Sequence, residues 1–146
     1  MTSIYQFIFH LLLLMNLQLF SFVLQAKDCQ LPNSMNGLTM ILSAGEEYSD
    51  IPPFENDVVE MTFSKKSYQG VGLKKNRHFI GEYVYRRLAN NVAQVRTREL
   101  FGADILQYSL NLVCQSDFEG YYIYAPSSGE TGPQLGILID RYLIVQ

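Results

Sequence analysis

Apolar and polar residues take turns along most of the chain beyond its first third. The clearest run is 104–114, where Leu106, Tyr108, Leu110, Leu112 and Cys114 share one parity and Gln107, Ser109 and Asn111 the other. A period of two is the mark of a half-buried antiparallel strand. The same reading predicts a first strand in which Leu38, Met40 and Leu42 oppose Thr39, Ile41 and Ser43. Further strands are predicted over 58–63, 68–73, 78–86, 92–99 and 118–125. On the fifth, Ala93, Val95 and Thr97 face away from Gln94, Arg96 and Arg98. The stretch 134–145 reads as one strand, or as two broken at Asp140-Arg141.

Turn signals separate these runs: Asn36-Gly37, Lys74-Lys75-Asn76-Arg77, Ala89-Asn90-Asn91, Phe101-Gly102-Ala103 and Gln115-Ser116-Asp117. Two longer stretches, 44–56 with Pro52-Pro53 and 126–133, read as loops. No segment beyond residue 26 sustains a helical period. Short strands with short connections predict an all-β chain and favour neighbours that run up and down. The expected architecture is a single antiparallel barrel of about eight strands. A barrel of that size is filled by side chains or holds one small ligand.

One phrase, F-x-G-x-Y-x-Y, occurs twice: Phe79-Ile80-Gly81-Glu82-Tyr83-Val84-Tyr85 and Phe118-Glu119-Gly120-Tyr121-Tyr122-Ile123-Tyr124. Alternate strand residues share a face. Phe, Gly, Tyr and Tyr are therefore expected on one side each time, pointing inward with Tyr108. Each glycine lets the strand coil or another group come close. Two readings of the rings follow. They are core filler with hydroxyls satisfied at the barrel ends, or Tyr83, Tyr85, Tyr108, Tyr122 and Tyr124 line a cavity for a small apolar or aromatic ligand. Arg86 and Arg96, on neighbouring strands, add an anion contact if they face the mouth.

Residues 1–26 read as a secretory signal peptide. The run from Leu11 to Leu24 has no Asp, Glu, Lys or Arg, and it ends at Gln25-Ala26 before Lys27-Asp28. An uncleaved membrane anchor is the alternative, and this segment is the one expected membrane contact. Residues 27–146 form the expected barrel domain. Export changes how Cys29 and Cys114 read. An even count in an oxidising compartment predicts one disulfide, closing a loop of about 85 residues. The expected location is secreted or periplasmic.

Composition agrees with strands: ten Tyr and nine Phe, no Trp. A net charge of -3 in 146 residues implies no nucleic-acid partner. The charge is unevenly spread. Glu46, Glu47, Asp50, Glu55, Asp57 and Glu60 stand without a base among them, whereas Lys65 to Arg98 holds nine bases and one acid, Glu82. These are solvated turns and outer strand faces, or a basic face for anions or an acidic partner.

Candidate chemistry is sparse. His78 is the one imidazole after the apolar leader, too little for a metal cluster or a catalytic relay. The acidic stretch matches no calcium-loop spacing. Gly70-Val71-Gly72-Leu73-Lys74-Lys75 lacks the spacing of a phosphate loop and reads as glycines in a bent strand. No cofactor, no metal and no enzymatic activity are expected.

With Asn36-Gly37 opening the first strand and two G-x-Y-x-Y strands, residues 36–145 resemble the calycin superfamily. They look most like the small lipocalin-like domains of the molybdenum cofactor biosynthesis protein F type. Lipocalins proper carry G-x-W on the first strand, where this chain has Gly37 followed by Leu38-Thr39-Met40. The resemblance implies a ligand cavity inside a barrel rather than an enzyme, and it assigns no ligand. The expected function is an exported binding protein for a small, largely apolar ligand. The alternative is a secreted protein-interaction module, such as a hydrolase inhibitor or a surface adaptor, using the acidic stretch with Pro52-Pro53-Phe54.

Overall fold

A computed structural model of the chain describes residues 29–43, 57–101, 104–128 and 138–145. The expected signal segment lies outside the described residues. So do Pro52-Pro53-Phe54 with most of the acidic stretch, and residues 129–133 of the expected second loop.

Eight strands form one closed antiparallel barrel: β1 (Thr39–Ser43), β2 (Val58–Phe63), β3 (Ser67–Gly72), β4 (Arg77–Arg87), β5 (Val92–Phe101), β6 (Asp104–Cys114), β7 (Glu119–Ser128) and β8 (Leu138–Val145). Each strand pairs with its sequence neighbour, and β1 closes the ring by pairing with β8 through Met40 opposite Ile144 and Leu42 opposite Tyr142. Closure leaves no open sheet edge. From β2 to β7 the up-and-down order follows from the short turns, which suffice for antiparallel neighbours only.

The alternation read from the sequence is the alternation of burial. Leu106, Tyr108, Leu110, Leu112 and Cys114 of β6 are all buried in the core. They pack there with Met40, Leu42, Val59, Met61, Phe63, Ala93 and Val95. Inward parity alone decides this, because a slip of one residue would turn every side chain over.

β7 differs from expectation, and β8 decides between the two readings of the last stretch. β7 runs on through Pro126 to Ser128 instead of ending at Ala125. Pro126 stands opposite Tyr108, where the β6–β7 register shifts between Gln107 and Tyr108. An irregularity of this kind tolerates a residue with no N–H to donate. β8 is one unbroken strand across Asp140-Arg141. Asp140 takes the Ser43 hydroxyl at 2.8 Å, and Arg141 turns outward with its guanidinium 6.0 Å from the Tyr121 ring centroid. Local partners thus hold both charges without a break.

One end of the barrel is closed by residues 29–36, which cross the β4–β5 and β6–β7 turns. Cys29 is disulfide-bonded to Cys114 at the end of β6. Leu31 and Met35 are buried beneath this strap. Its backbone is tied by Leu31 N–H to Asn90 O at 2.9 Å and Gln30 N–H to Asp117 Oδ1 at 2.9 Å. At the opposite end, Asp57 is buried and accepts the N–H groups of Val58, Lys74 and Lys75, at 2.8, 2.7 and 3.2 Å. It fixes the β3–β4 turn, in which Asn76 takes a positive φ of 50°. The Gly-Val-Gly-Leu-Lys-Lys stretch is accordingly strand and turn. Gly72 leaves the space that Asp57 Oδ2 occupies.

Candidate ligand-binding site

The repeated phrase lies on β4 and β7, and its glycines explain it. Tyr68 on β3, Gly81 on β4, Glu99 on β5 and Leu106 on β6 form one row of directly opposed residues. A Cβ on Gly81 would meet the Tyr68 hydroxyl at 2.5 Å and its ring carbons at 2.6 and 2.7 Å. The Tyr68 ring therefore lies across the bare backbone of β4. Its hydroxyl reaches the next strand but one and donates to Glu99 Oε2 at 2.8 Å. Tyr108 donates to the same oxygen at 3.0 Å, and the two hydroxyls are 3.2 Å apart. The neighbouring glycine works the same way, since Phe79 is opposite Gly70 and its ring fills the space a Gly70 side chain would need.

The second phrase uses its glycine partly in the same way. A Cβ on Gly120 would first meet the backbone of β6, at Val113 O and Cys114 Cα, and then the hydroxyl of Tyr142, which is opposite it on β8, at 2.8 Å. In the first copy the crossing tyrosine comes from the preceding strand, in the second from the following one. The copies differ at Phe as well. Phe79 is buried, whereas Phe118 precedes β7 in a turn and is 50% exposed. The expectation that Phe118 shares the inward face is thereby corrected. Outside the strand, it no longer obeys the strand's alternation.

The expected tyrosines all take inward positions, in two groups. Tyr108 and Tyr124 are buried, with ring centroids 5.1 Å apart. Tyr122 is buried with its hydroxyl on Ser43 O at 2.7 Å. Tyr83 and Tyr85 are half-buried towards the strap end. Their hydroxyls donate to Ser64 O at 2.7 Å and to Pro32 O at 2.6 Å. Burial pushes the Tyr85 phenol up to about 12, with the Arg87 charge opposing. Satisfied hydroxyls at strand ends are what ring packing requires. Arg86 and Arg96 do not join the tyrosines. Both are exposed on outward positions of β4 and β5, because they alternate with the inward Tyr85, Val95 and Thr97.

Sequence reasoning missed the group with the most unusual chemistry. Glu99 is 1% exposed. Burial raises its carboxyl above the ordinary carboxylate range, and the hydrogen bonds from Tyr68 and Tyr108 and the Arg77 charge pull only partly back. Its second oxygen, Oε1, is buried with no hydrogen-bond partner. The signal was present, since Glu99 continues the Ala93, Val95, Thr97 parity to an inward position. Tyr68 and Tyr142 were visible by the same rule. Around Glu99 the phenols are poor acids: desolvation holds Tyr68 and Tyr108 well above the usual tyrosine range, and the Glu99 charge adds to it.

A carboxyl favoured in its protonated form by the fold stabilises the protein at low pH. That stability is lost as pH rises from the unfolded-state value near 4.3 through the folded one. Glu99→Gln keeps an oxygen for the two hydroxyls and removes the titration. At pH 7 the variant should be more stable than the parent, because a neutral amide escapes the desolvation cost of the buried carboxylate. At pH 4 the two should coincide. Urea unfolding at both pH values measures this, and an equal offset at both would show that Glu99 does not titrate upward.

Among the described residues, no three His, Cys, Asp or Glu side chains come together as metal ligands, and His78 is exposed on the outer face of β4. No protein-family model, curated protein or solved structure matches this chain.

Proposed function

We propose that the protein is an exported small β-barrel that holds a small, largely apolar ligand through one polar anchor, Glu99. The observation that carries this reading is the unpartnered Oε1 of a fully buried carboxyl in a largely aromatic and aliphatic core, where the Tyr142 hydroxyl is the other buried polar atom left without a partner. A buried polar atom without a partner costs free energy in the empty protein. A ligand bearing one hydrogen-bonding group offsets that cost on binding. Few polar groups in an apolar lining are the usual composition of a small-molecule site. The closed up-and-down barrel is also the architecture that the calycin resemblance implies. The disulfide points to an oxidising, extracytoplasmic compartment, and secretion or periplasmic export is the reading in keeping with it.

Native mass spectrometry of protein purified from its source is the test, followed by titration with long-chain and aromatic alcohols. A bound small species is expected, together with alcohol affinity that falls roughly tenfold in Glu99→Gln, the loss of one charge-assisted hydrogen bond. Mass-pure protein with no alcohol binding would overturn the proposal.

One observation favours the second reading, a protein-interaction module. Ile80, Val84, Leu100 and Ile139 are each more than half exposed on the outer wall. Under that reading Leu100→Asp abolishes capture of a partner without lowering the melting temperature. Capture that survives the change removes the idea.

A further inference from the structure

The outer wall carries a second feature that the barrel interior does not use. Lys66, in the β2–β3 turn, and Arg96 and Arg98, on β5, line an open groove of about 580 Å³ whose wall includes Tyr83 and Val84. Glu82, directly opposite Arg98 on β4, is the one carboxylate lining it. Three cations against one acid leave a local excess of two positive charges.

Solvated surface cations are common and most bind nothing in particular. Two further observations separate this groove from them. The first is that Arg96 is held in place. Its Nε donates to Gln94 Oε1 at 2.8 Å, Gln94 Nε2 donates to Asn111 Oδ1 at 2.8 Å, and Asn111 Nδ2 donates to Ile123 O at 3.5 Å. This ladder runs across three strands and uses the inner edge of the guanidinium. Its two terminal nitrogens remain for a bidentate contact with an oxyanion. The second is that the Lys66 turn is tied to the wall. Tyr83 N–H donates to Lys66 O at 3.1 Å, Tyr83 Oη donates to Ser64 O at 2.7 Å, and the Tyr83 ring meets Phe63 edge-on at 4.9 Å. The groove is formed before any ligand arrives, which lowers the ordering cost of binding.

We propose that this groove binds the phosphoryl or sulfuryl head of a monoester whose apolar body rests on Val84. Val84 is 66% exposed between the cations, so the wall offers an apolar contact beside a charged one. A phosphate monoester carries about -1.5 to -2 charges at pH 7, which matches the local excess. The groove is separate from the interior site and stands or falls independently of it.

The test is a titration of isotope-labelled protein with phenyl phosphate, followed by amide and side-chain shifts. A parallel arm uses phosphatidylcholine vesicles containing phosphatidic acid, to distinguish a soluble ester from a lipid headgroup. Saturable shifts at Lys66, Val84, Arg96 and Arg98 are expected in at least one arm. Arg96→Gln should weaken binding roughly tenfold, and Arg86→Gln, the same charge loss outside the groove, less than about twofold. Gln94→Ala is the decisive variant, because it changes no charge and removes only the support of Arg96. It should weaken binding roughly threefold to fivefold with the fold intact by its amide spectrum. Unsaturable shifts spread over all surface cations, or equal affinity in the parent and Gln94→Ala, would overturn the proposal.

Discussion

Gly81→Ala should destabilise the barrel by about 3 kcal/mol, a far larger loss than one exposed methyl group ordinarily causes. The new Cβ would stand 2.5–2.7 Å from the Tyr68 hydroxyl and ring. The ring is rigid, buried and bonded at its far end, so it cannot step aside without leaving Glu99. Overpacking alone is worth roughly 1–3 kcal/mol, and a stranded buried carboxyl adds a similar amount. Alanine's lower chain entropy returns only about 0.5–1 kcal/mol. The cost should depend on Tyr68. In a Tyr68→Leu background the same change should cost under about 1 kcal/mol, a coupling that a double-mutant cycle reads directly. Equal costs in both backgrounds would mean that the ring does not lie on Gly81.

Breaking the disulfide should cost about 4.5 kcal/mol, from the chain-entropy model for a cross-link between residues 85 apart. The Cys29→Ser, Cys114→Ser double variant measures it by urea unfolding. The loss should be local before it is global. Residues 29–36 are held to the barrel end by a handful of hydrogen bonds and by two buried side chains, Leu31 and Met35. Without the cross-link these contacts alone must carry the ordering of the segment. Exchange of the Leu31 and Gln30 amides should therefore quicken at least tenfold under native conditions, ahead of the strands. A midpoint within about 1 kcal/mol of the parent, with unchanged protection at Leu31, would show that the strap holds by itself.

The strands were legible because burial in a closed barrel follows parity, and parity is written in the sequence. Leu106 to Cys114 is the plainest instance. What escaped were features set by a neighbour two strands away. Parity along β5 already turns Glu99 inward, yet its partners depend on Tyr68 crossing a glycine that belongs to β4. No pattern along β5 alone reports those. Pro126 opens the stretch that reads as a loop, and a proline cannot donate to a ladder. The register shift opposite Gln107 and Tyr108 removes that demand. The alternative of two strands broken at Asp140-Arg141 falls because Ser43 and Tyr121 stand ready on the adjoining strands. The tyrosine face was found correctly. Where its hydroxyls go, Tyr108 to Glu99, Tyr122 to Ser43 and Tyr83 and Tyr85 to the strap end, follows from partners that the sequence does not pair. Arg86 and Arg96 were on the right strands, and parity already placed them outside.

The most direct measurement is the titration of the Glu99 side-chain carboxyl, followed by its carbon resonance in labelled protein and assigned by comparison with Glu99→Gln. A phenol fixed over a bare glycine, a second phenol on the same carboxyl oxygen and a carboxyl sealed among rings require it to hold its proton above the ordinary carboxylate range. A resonance that titrates together with those of the exposed glutamates would mean that water reaches this carboxyl, and the interior anchor would not exist.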